Sequence, residues 1–330
     1  NGSGTLTFIV GGALTLSDPL TVSDITGPPA VTGTLVITDK DGDGIQLGGT
    51  DPGNGELYLA NLSNITTTDL TFNTVGDITV EDITQPGTIT GTLTFGTTQN
   101  ITFAGTASSF SALDVQGVDS VNVNSDLTTT TGDLTLNAVN TFSFANGVTV
   151  DSAGSLNLDS TNSTLSGMDN LTLVVDDTLT LGSTLNVGVL LTITDGDGGG
   201  IQLGGADPGT GELYLANLNN ISSPSLTFNS PGAITVDADL TTTGDLTLNA
   251  DTDDADDEAI TFADGITLDV GGDLSLSSST AGGINGSGTL TFIVGGALTL
   301  SDPLTVSDIT GPPAVTGTLV ITDKDGDGIQ

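Results

Sequence analysis

Between Leu134 and Val187 one apolar–polar–apolar triplet follows another: Leu134-Thr135-Leu136, Phe142-Ser143-Phe144, Val148-Thr149-Val150, Leu156-Asn157-Leu158, Leu171-Thr172-Leu173, Leu179-Thr180-Leu181 and Leu185-Asn186-Val187. A period of two puts successive side chains on opposite faces of a strand, so each triplet reads as a short strand with two residues inward and one outward. The triplet centres follow one another closely, with one wider gap that has room for a further strand near Leu165. Such spacing leaves no length for a crossover helix, and Gly, Asn and Asp between the triplets supply turns. The same unit recurs outside this region, at Leu70-Thr71-Phe72, Ile78-Thr79-Val80, Leu93-Thr94-Phe95 and Ile101-Thr102-Phe103. No segment shows a helical period. Strands this short must stack to bury their apolar face, and three steps make about 22 residues, the size of one coil of a three-sided β-solenoid.

Longer repeats agree with stacking. Asn1 to Gln46 returns without change as Asn285 to Gln330. Residues 1–330 therefore read as one continuous solenoid window of a tandem array, with 1–284 one full period and 285–330 the start of the next. Within the period, Ile45 to Leu62 matches Ile201 to Leu218 at all but two positions, which divides the period into a longer and a shorter part. Seven and six coils fit these lengths, giving about 13 coils per period. Phe142 to Asp151 (FSFANGVTVD) returns as Ile260 to Asp269 (ITFADGITLD), and the acidic stretch Asp251 to Glu258 just before the second copy reads as an inserted surface loop.

The idiom Gly-Asp-Leu-Thr-Leu-Asn at 132–137 and 244–249, with Gly-Ala-Leu-Thr-Leu at 12–16, carries a resemblance. It is similar to the β-helical shafts of filamentous-haemagglutinin-type adhesins and other giant bacterial β-strand-repeat surface proteins, and the likeness covers essentially the whole chain. The resemblance implies an all-β, right-handed parallel β-helix, secreted or displayed at the cell surface, that builds fibres or carries adhesive tips.

Charge narrows the partners. The chain has 41 acidic residues, two lysines (Lys40 and Lys324, one repeat position), and a net charge of −39. Nucleic acid and anionic lipid are excluded as electrostatic partners, while cations are favoured. With no Cys there is no disulfide or thiolate metal site, and no apolar run approaches the ~20 residues of a membrane helix. Without His, Cys or Arg the usual bases, nucleophiles and oxyanion clamps are missing, so the chain is not expected to be an enzyme.

The residues that suggest chemistry are acidic. Asp39-Lys-Asp41-Gly-Asp43-Gly44, repeated at Asp323, Asp325 and Asp327, resembles the first half of a calcium loop of EF-hand or dockerin type. Alternate carboxylates can wrap one hard cation, making Ca2+ the one cofactor to expect. The twelfth position, where such loops carry a bidentate Glu, is Thr50, and the older copy keeps only Asp195 and Asp197. The competing reading is an acidic Gly-rich turn between strands. Asn64 and Asn162 stand in Asn-x-Ser/Thr sites on turns and are candidate glycan acceptors. Thr5-Leu-Thr7, Thr92-Leu-Thr94 and Thr178-Leu-Thr180 resemble the Thr arrays of solenoid ice-binding proteins, against the plainer reading that Thr suits an exposed strand. Tyr58 with Tyr214 and Phe72 with Phe228 are matched packing positions. The expected function is the structural shaft of an extracellular surface fibre, sheath or matrix filament, with the chain itself as partner, end to end and laterally through cations. The alternative is an adhesin that meets glycans, host surfaces or ice through side loops or a Thr-rich face.

Overall fold

The computed structural model describes residues 5–10, 14, 20–21, 23–24, 31–53, 56–209, 211–253, 258–279, 282–308, 315–316 and 318–324. It divides into two compact units, Asn1–Ser166 and Gly167–Gln330, and each is a parallel β-helix with three strand ladders. Among the described residues there is no α-helix, and one 3-10 turn at Leu218–Asn220.

In the first unit, one ladder runs through Leu6–Val10, Thr34–Asp39, Asp69–Asn73 and Thr92–Gly96 to Ala112–Val123, Leu134–Phe144 and Leu156–Ser160. Ala112–Val123 and Leu134–Phe144 pass round a corner without a break, with register shifts near Val118, and so also extend the second ladder. That ladder contains Leu57–Leu59, Ile45–Gly48, Ile78–Glu81 and Asn100–Ala104. The third contains Ala107–Phe110, Asp126–Thr129 and Val148–Ser152. Leu70, Leu93, Leu113, Leu134 and Leu156 stand directly above one another, and their numbering shows that each uninterrupted coil has close to the length expected from the triplet spacing. Phe95, Phe103 and Phe110 come from three faces and meet edge-on, with centroids 6.3 and 6.5 Å from Phe95, while Phe72 stacks on Phe95 at 5.9 Å. All four are buried.

The second unit repeats the plan. Its first ladder is Asn170–Val175, Leu190–Asp195, Ser225–Asn229, Asp245–Asn249, Leu274–Ser277 and Leu298–Leu300. Its second is Leu213–Leu215, Ile201–Leu203, Ile234–Val236, Ile260–Phe262, Ile284–Ser287 and Leu304–Asp308. Leu240–Thr242, Thr267–Val270, Thr289–Val294 and Thr318–Asp323 form the third.

Three kinds of insertion lengthen coils, and all leave the ladders intact. The long coil from Leu246 to Leu274 carries the acidic stretch, of which 254–257 lie outside the described residues. The coils from Leu6 to Leu35 and from Leu290 to Leu319 are longer again. They carry a small antiparallel hairpin that pairs Ser23–Asp24 with Val31–Thr32, and Ser307 and Asp308 with Thr316 and Val315. The longest coils, Leu35 to Leu70 and Leu191 to Leu226, contain the internal repeat that begins at Ile45 and Ile201. That repeat is a fold-back. After Ile45–Gly48 the chain loops out and returns as Leu57–Leu59 on the side away from Ile78–Glu81, so strand order on this face is inverted relative to sequence. Ile201–Leu203 and Leu213–Leu215 repeat the inversion. Because of these insertions the shorter part of the period is not six coils. Leu190–Asp195 lies on the first ladder of its unit, while its counterpart Thr318–Asp323 lies on the third, four coils and two faces further on.

Inward strand positions are Leu, Ile, Val and Phe, as the alternation requires, but at the corners Ser and Thr also turn inward. Thr129, Ser152, Ser223 and Thr242 are buried, and their hydroxyls donate to the carbonyls of Gly132, Ser155, Ser225 and Gly244 at 2.7–3.1 Å. A corner turns backbone carbonyls inward where neither ladder nor water reaches them, and a short hydroxyl side chain supplies the donor.

The abundance of Asp and Gly has one cause in the contacts between coils. Asp69, Asp133 and Asp273 each accept, through Oδ1, the backbone N–H of Thr92, Ser155 and Ala297 in the next coil at 2.8–3.0 Å. In all three the residue before the donor is Gly: Gly91, Gly154 and Gly296. A Cβ there would stand 2.1–2.6 Å from the carboxylate oxygen. Asp82, Asp245 and Asp264 make the same staple over Gly105, Gly272 and Gly288. Gly154→Ala should lower the unfolding free energy by about 1–3 kcal/mol, the cost of forcing atoms into an occupied space. Gly87→Ala, where a Cβ meets open space, should cost no more than about 0.5 kcal/mol. Urea unfolding of both variants measures this, and equal losses would contradict the staple.

Candidate functional site

The sequence directs attention to the acidic turn after Thr34–Asp39. Asp39 ends that strand and is buried. Its Oδ1 accepts the Asp41 N–H at 3.2 Å, and its Oδ2 accepts the Gly44 N–H at 3.1 Å and the Thr74 hydroxyl at 2.8 Å. Thr74 Oγ1 in turn accepts the Gly76 N–H at 2.9 Å, so one carboxylate fastens its own turn and the turn of the next coil. Asp41 and Asp43 are exposed. Gly42 and Gly44 have φ of +79° and +121°, and a Cβ on them would meet Val75 and the Asp77 carbonyl. The glycines answer the close approach of the neighbouring coil.

Asp195 repeats this arrangement almost atom for atom. It is buried, and it accepts the N–H groups of Gly198 and Gly200 at 3.3 and 2.8 Å and the Ser230 hydroxyl at 2.8 Å. Ser230 Oγ accepts the Gly232 N–H at 3.0 Å. Asp197 is exposed and binds the Gly199 N–H at 3.0 Å. Asp323 closes the strand Thr318–Asp323, while Asp325 and Asp327 lie outside the described residues. Among the described residues no group of three or more carboxylates is placed to hold a metal ion. Asp39 and Asp195 turn both carboxylate oxygens toward hydrogen-bond donors of their own turn and the next coil, while Asp41, Asp43 and Asp197 face outward.

Electrostatics separate the two kinds of aspartate. Burial pushes the Asp195 carboxyl above its ordinary value; the Gly200 N–H and the Ser230 hydroxyl draw it partly back, and neighbouring Asp197 pushes it up. Burial also raises Asp151. The exposed staple Asp82 goes the other way, lowered first by the Thr106 N–H and then by the Thr106 hydroxyl.

The remaining candidates are surface features. Asn162 is exposed and belongs to a corner ladder in which Asp119 Oδ1 accepts from Asn140 and Asn140 Oδ1 accepts from Asn162 at 3.0 Å. Asn64 is half-buried. Tyr58 and Tyr214 brace the fold-backs, each donating its hydroxyl to a glycine carbonyl, Gly49 or Gly205, at 3.1 Å. Phe72 and Phe228 are core residues, as their matched positions suggest. In the first unit the outward column beside the leucines is mixed, with Val36, Asp114 and Asn157 among its threonines. In the second unit Thr172, Thr192, Thr227, Thr247, Ser275 and Thr299 stand in register on one face. Variable coil lengths hide this file in the sequence. It is single, flanked by Leu190, Ser225 and Asp245 on one side and by Thr194, Asn229 and Asn249 on the other, so no paired Thr array forms.

No family model matches the chain, and no curated protein or solved structure matches it. No helix among the described residues is long and apolar enough to cross a membrane.

The sign of the pH dependence follows from the two aspartates. Asp82, depressed in the fold, contributes stability above the ordinary carboxylate value of 3.8 that is lost as pH falls through its lower folded value. Asp195, raised in the fold, binds its proton more readily folded than unfolded. Its share of stability therefore grows as pH falls from its raised value toward 3.8. The stability of the wild type relative to Asp195→Asn should rise as pH falls across that window. Denaturant titrations at stepped pH check this, and a difference that stays flat or shrinks would show that Asp195 is not the buried group described.

Proposed function

We propose that the chain is part of the structural shaft of an extracellular surface fibre, sheath or matrix filament built from tandem β-solenoid periods. The observation that carries this reading is the behaviour of the exact repeat. Leu6–Val10 pairs with Thr34–Asp39 from Leu6↔Leu35 onward, and in the second copy Leu290 pairs with Leu319 in the same register. The hairpin and the Lys40 N–H to Val10 carbonyl bond recur as well, the latter as Lys324 to Val294. A repeat whose own strand pairing recurs in both copies is a unit of length. Its task is mechanical: parallel ladders satisfy the backbone, the apolar column supplies cohesion, and the acidic exterior keeps neighbouring filaments apart. Likeness to the shafts of filamentous-haemagglutinin-type and giant β-strand-repeat surface proteins supports placing it outside the cell.

Adhesion is the second reading, and one observation favours it. Asp51-Pro52-Gly53 and Ala206 to Gly209 are exposed at the tips of the two fold-backs, which present the same geometry in each unit. Calcium, if a fibre gathers it, belongs to exposed carboxylates such as Asp41 and Asp43 between filaments and not to Asp39. Immunogold labelling of source cells, both intact and in thin section, with an antibody against the fold-back tip tests the proposal. Rows of label along thin surface filaments are expected; label confined to the cell interior would overturn it.

A further inference from the structure

The internal repeat that begins at Ile45 and Ile201 meets different surroundings at one corner. At the same offset, Ile65 corresponds to Ile221, Thr67 to Ser223 and Leu70 to Leu226. In the first unit the next coil covers this corner. Ile89 is fully buried opposite Thr67, whose N–H donates to the Thr88 carbonyl at 3.0 Å and whose carbonyl accepts the Thr90 N–H at 3.2 Å. The Thr88 hydroxyl donates to the Ile65 carbonyl at 2.6 Å, and Ile65 is fully buried. The second unit lacks this cover. Gln85 and Thr242 hold the same place, each donating to the carbonyl of a corner glycine, Gly91 or Gly244. Five residues separate Gln85 from Gly91, and one separates Thr242 from Gly244, so Pro86-Gly87-Thr88-Ile89-Thr90 is reduced to Thr243. Ile221–Ser222 pairs only with Leu185–Val187, and Leu240–Thr242 pairs only with Thr267–Val270, so the ladder is interrupted between them among the described residues. A cavity of about 60 Å³ remains there, with Leu218, Ile221, Leu226 and Leu240 as its floor and the exposed Ser222 and Thr241 at its mouth. Ile221 is only half-buried.

We infer that this gap is a docking seat for an extended segment of another protein chain, one that carries a β-branched aliphatic residue between two threonines. The first unit defines the chemistry of the occupant, because Thr88-Ile89-Thr90 fills the corresponding seat there. The incoming aliphatic side chain takes the cavity over Ile221, as Ile89 covers the corner of Ile65 and Thr67. The flanking backbone pairs with Ser223, as Thr88 and Thr90 pair with Thr67. The occupant comes from another chain because Thr243 alone is too short to fold back and fill the seat. Strand addition at an open edge draws affinity from main-chain bonds and specificity from the side chain that enters the pocket. An acidic residue is rejected at the centre of the segment, since its charge would be buried among leucines without a partner. The seat lies wholly between residues 218 and 243 and goes beyond both the fibre and the adhesion readings, requiring neither.

The test uses the full chain and a capped peptide, Thr-Gln-Pro-Gly-Thr-Ile-Thr, copied from residues 84–90. Methyl NMR should show the Leu226 and Leu240 signals shifting saturably as the peptide is raised to millimolar concentration. Replacing the peptide's Ile by Asp should weaken binding about tenfold or more, the worth of one buried aliphatic side chain. Two variants of the chain close the seat from within. Inserting Pro-Gly-Thr-Ile between Thr242 and Thr243 rebuilds the cover of the first unit, and Ile221→Phe fills the cavity from its floor. Each should abolish the peptide-induced shifts. If the insertion does not fold, Ile221→Phe decides, and the Asp peptide needs no variant at all. Leu226 and Leu240 signals that stay still at every peptide concentration would overturn the docking seat. Equal shifts with the Asp peptide, or in Ile221→Phe, would overturn it too, because they mark contact elsewhere.

Discussion

The hydrogen bonds of a parallel ladder run along the axis of the coil, and the rest of this structure depends on that direction. A coil closes its backbone bonds only through the coils above and below it, so each residue faces its counterpart one turn away. The consequence is a column of like on like: Leu70, Leu93, Leu113, Leu134 and Leu156 in one file, Phe72 on Phe95 in the next. Apolar side chains at about 4.8 Å spacing bury one another with little help from sequence-distant partners. The same geometry makes the surface periodic, which is why the Thr file of the second unit and the Asp119–Asn140–Asn162 ladder of the first arise from scattered positions.

Corners carry the burden that strands do not. There the backbone leaves the ladder, and its polar groups are met by side chains from the same coil or the next. Hydroxyls serve the inward carbonyls, and Asp carboxylates serve the N–H groups, with Gly where the carboxylate comes close. Asp39 and Asp195 are the buried extreme of this habit, and Asp82 and Asp133 the exposed one. Much of the acidic composition therefore has a structural role inside the fold. The charge that remains outward repels other acidic surfaces. Insertions also go to corners. A hairpin, an acidic loop and a fold-back each lengthen a coil without disturbing the register of the strands on either side.

The strands, their inward residues and the parallel stacking were legible because a period of two is a local signal, repeated often enough to outweigh any single exception. Coil count was less legible. Spacing alone cannot tell a strand that continues upward from one that returns downward, and Leu57–Leu59 and Leu213–Leu215 return. The motif Asp39-x-Asp41-x-Asp43-Gly44 carried a residue pattern shared by cation loops and by tight turns. Spacing does not show where the first carboxylate points, and Asp39 points inward to Thr74 and to its own turn. The Asp–Gly staples did leave a trace in the sequence, an Asp followed one coil later by Gly, as in Asp133 with Gly154 and Asp245 with Gly272. That trace has meaning only once coil length is known.

Strands that lie across the coil axis make coils advance by one ladder spacing. Diffraction from aligned films of the purified chain measures this directly. A sharp reflection at about 4.8 Å along the direction of alignment is expected. Absence of that reflection, or the same spacing appearing at right angles to the alignment, would overturn this stacking.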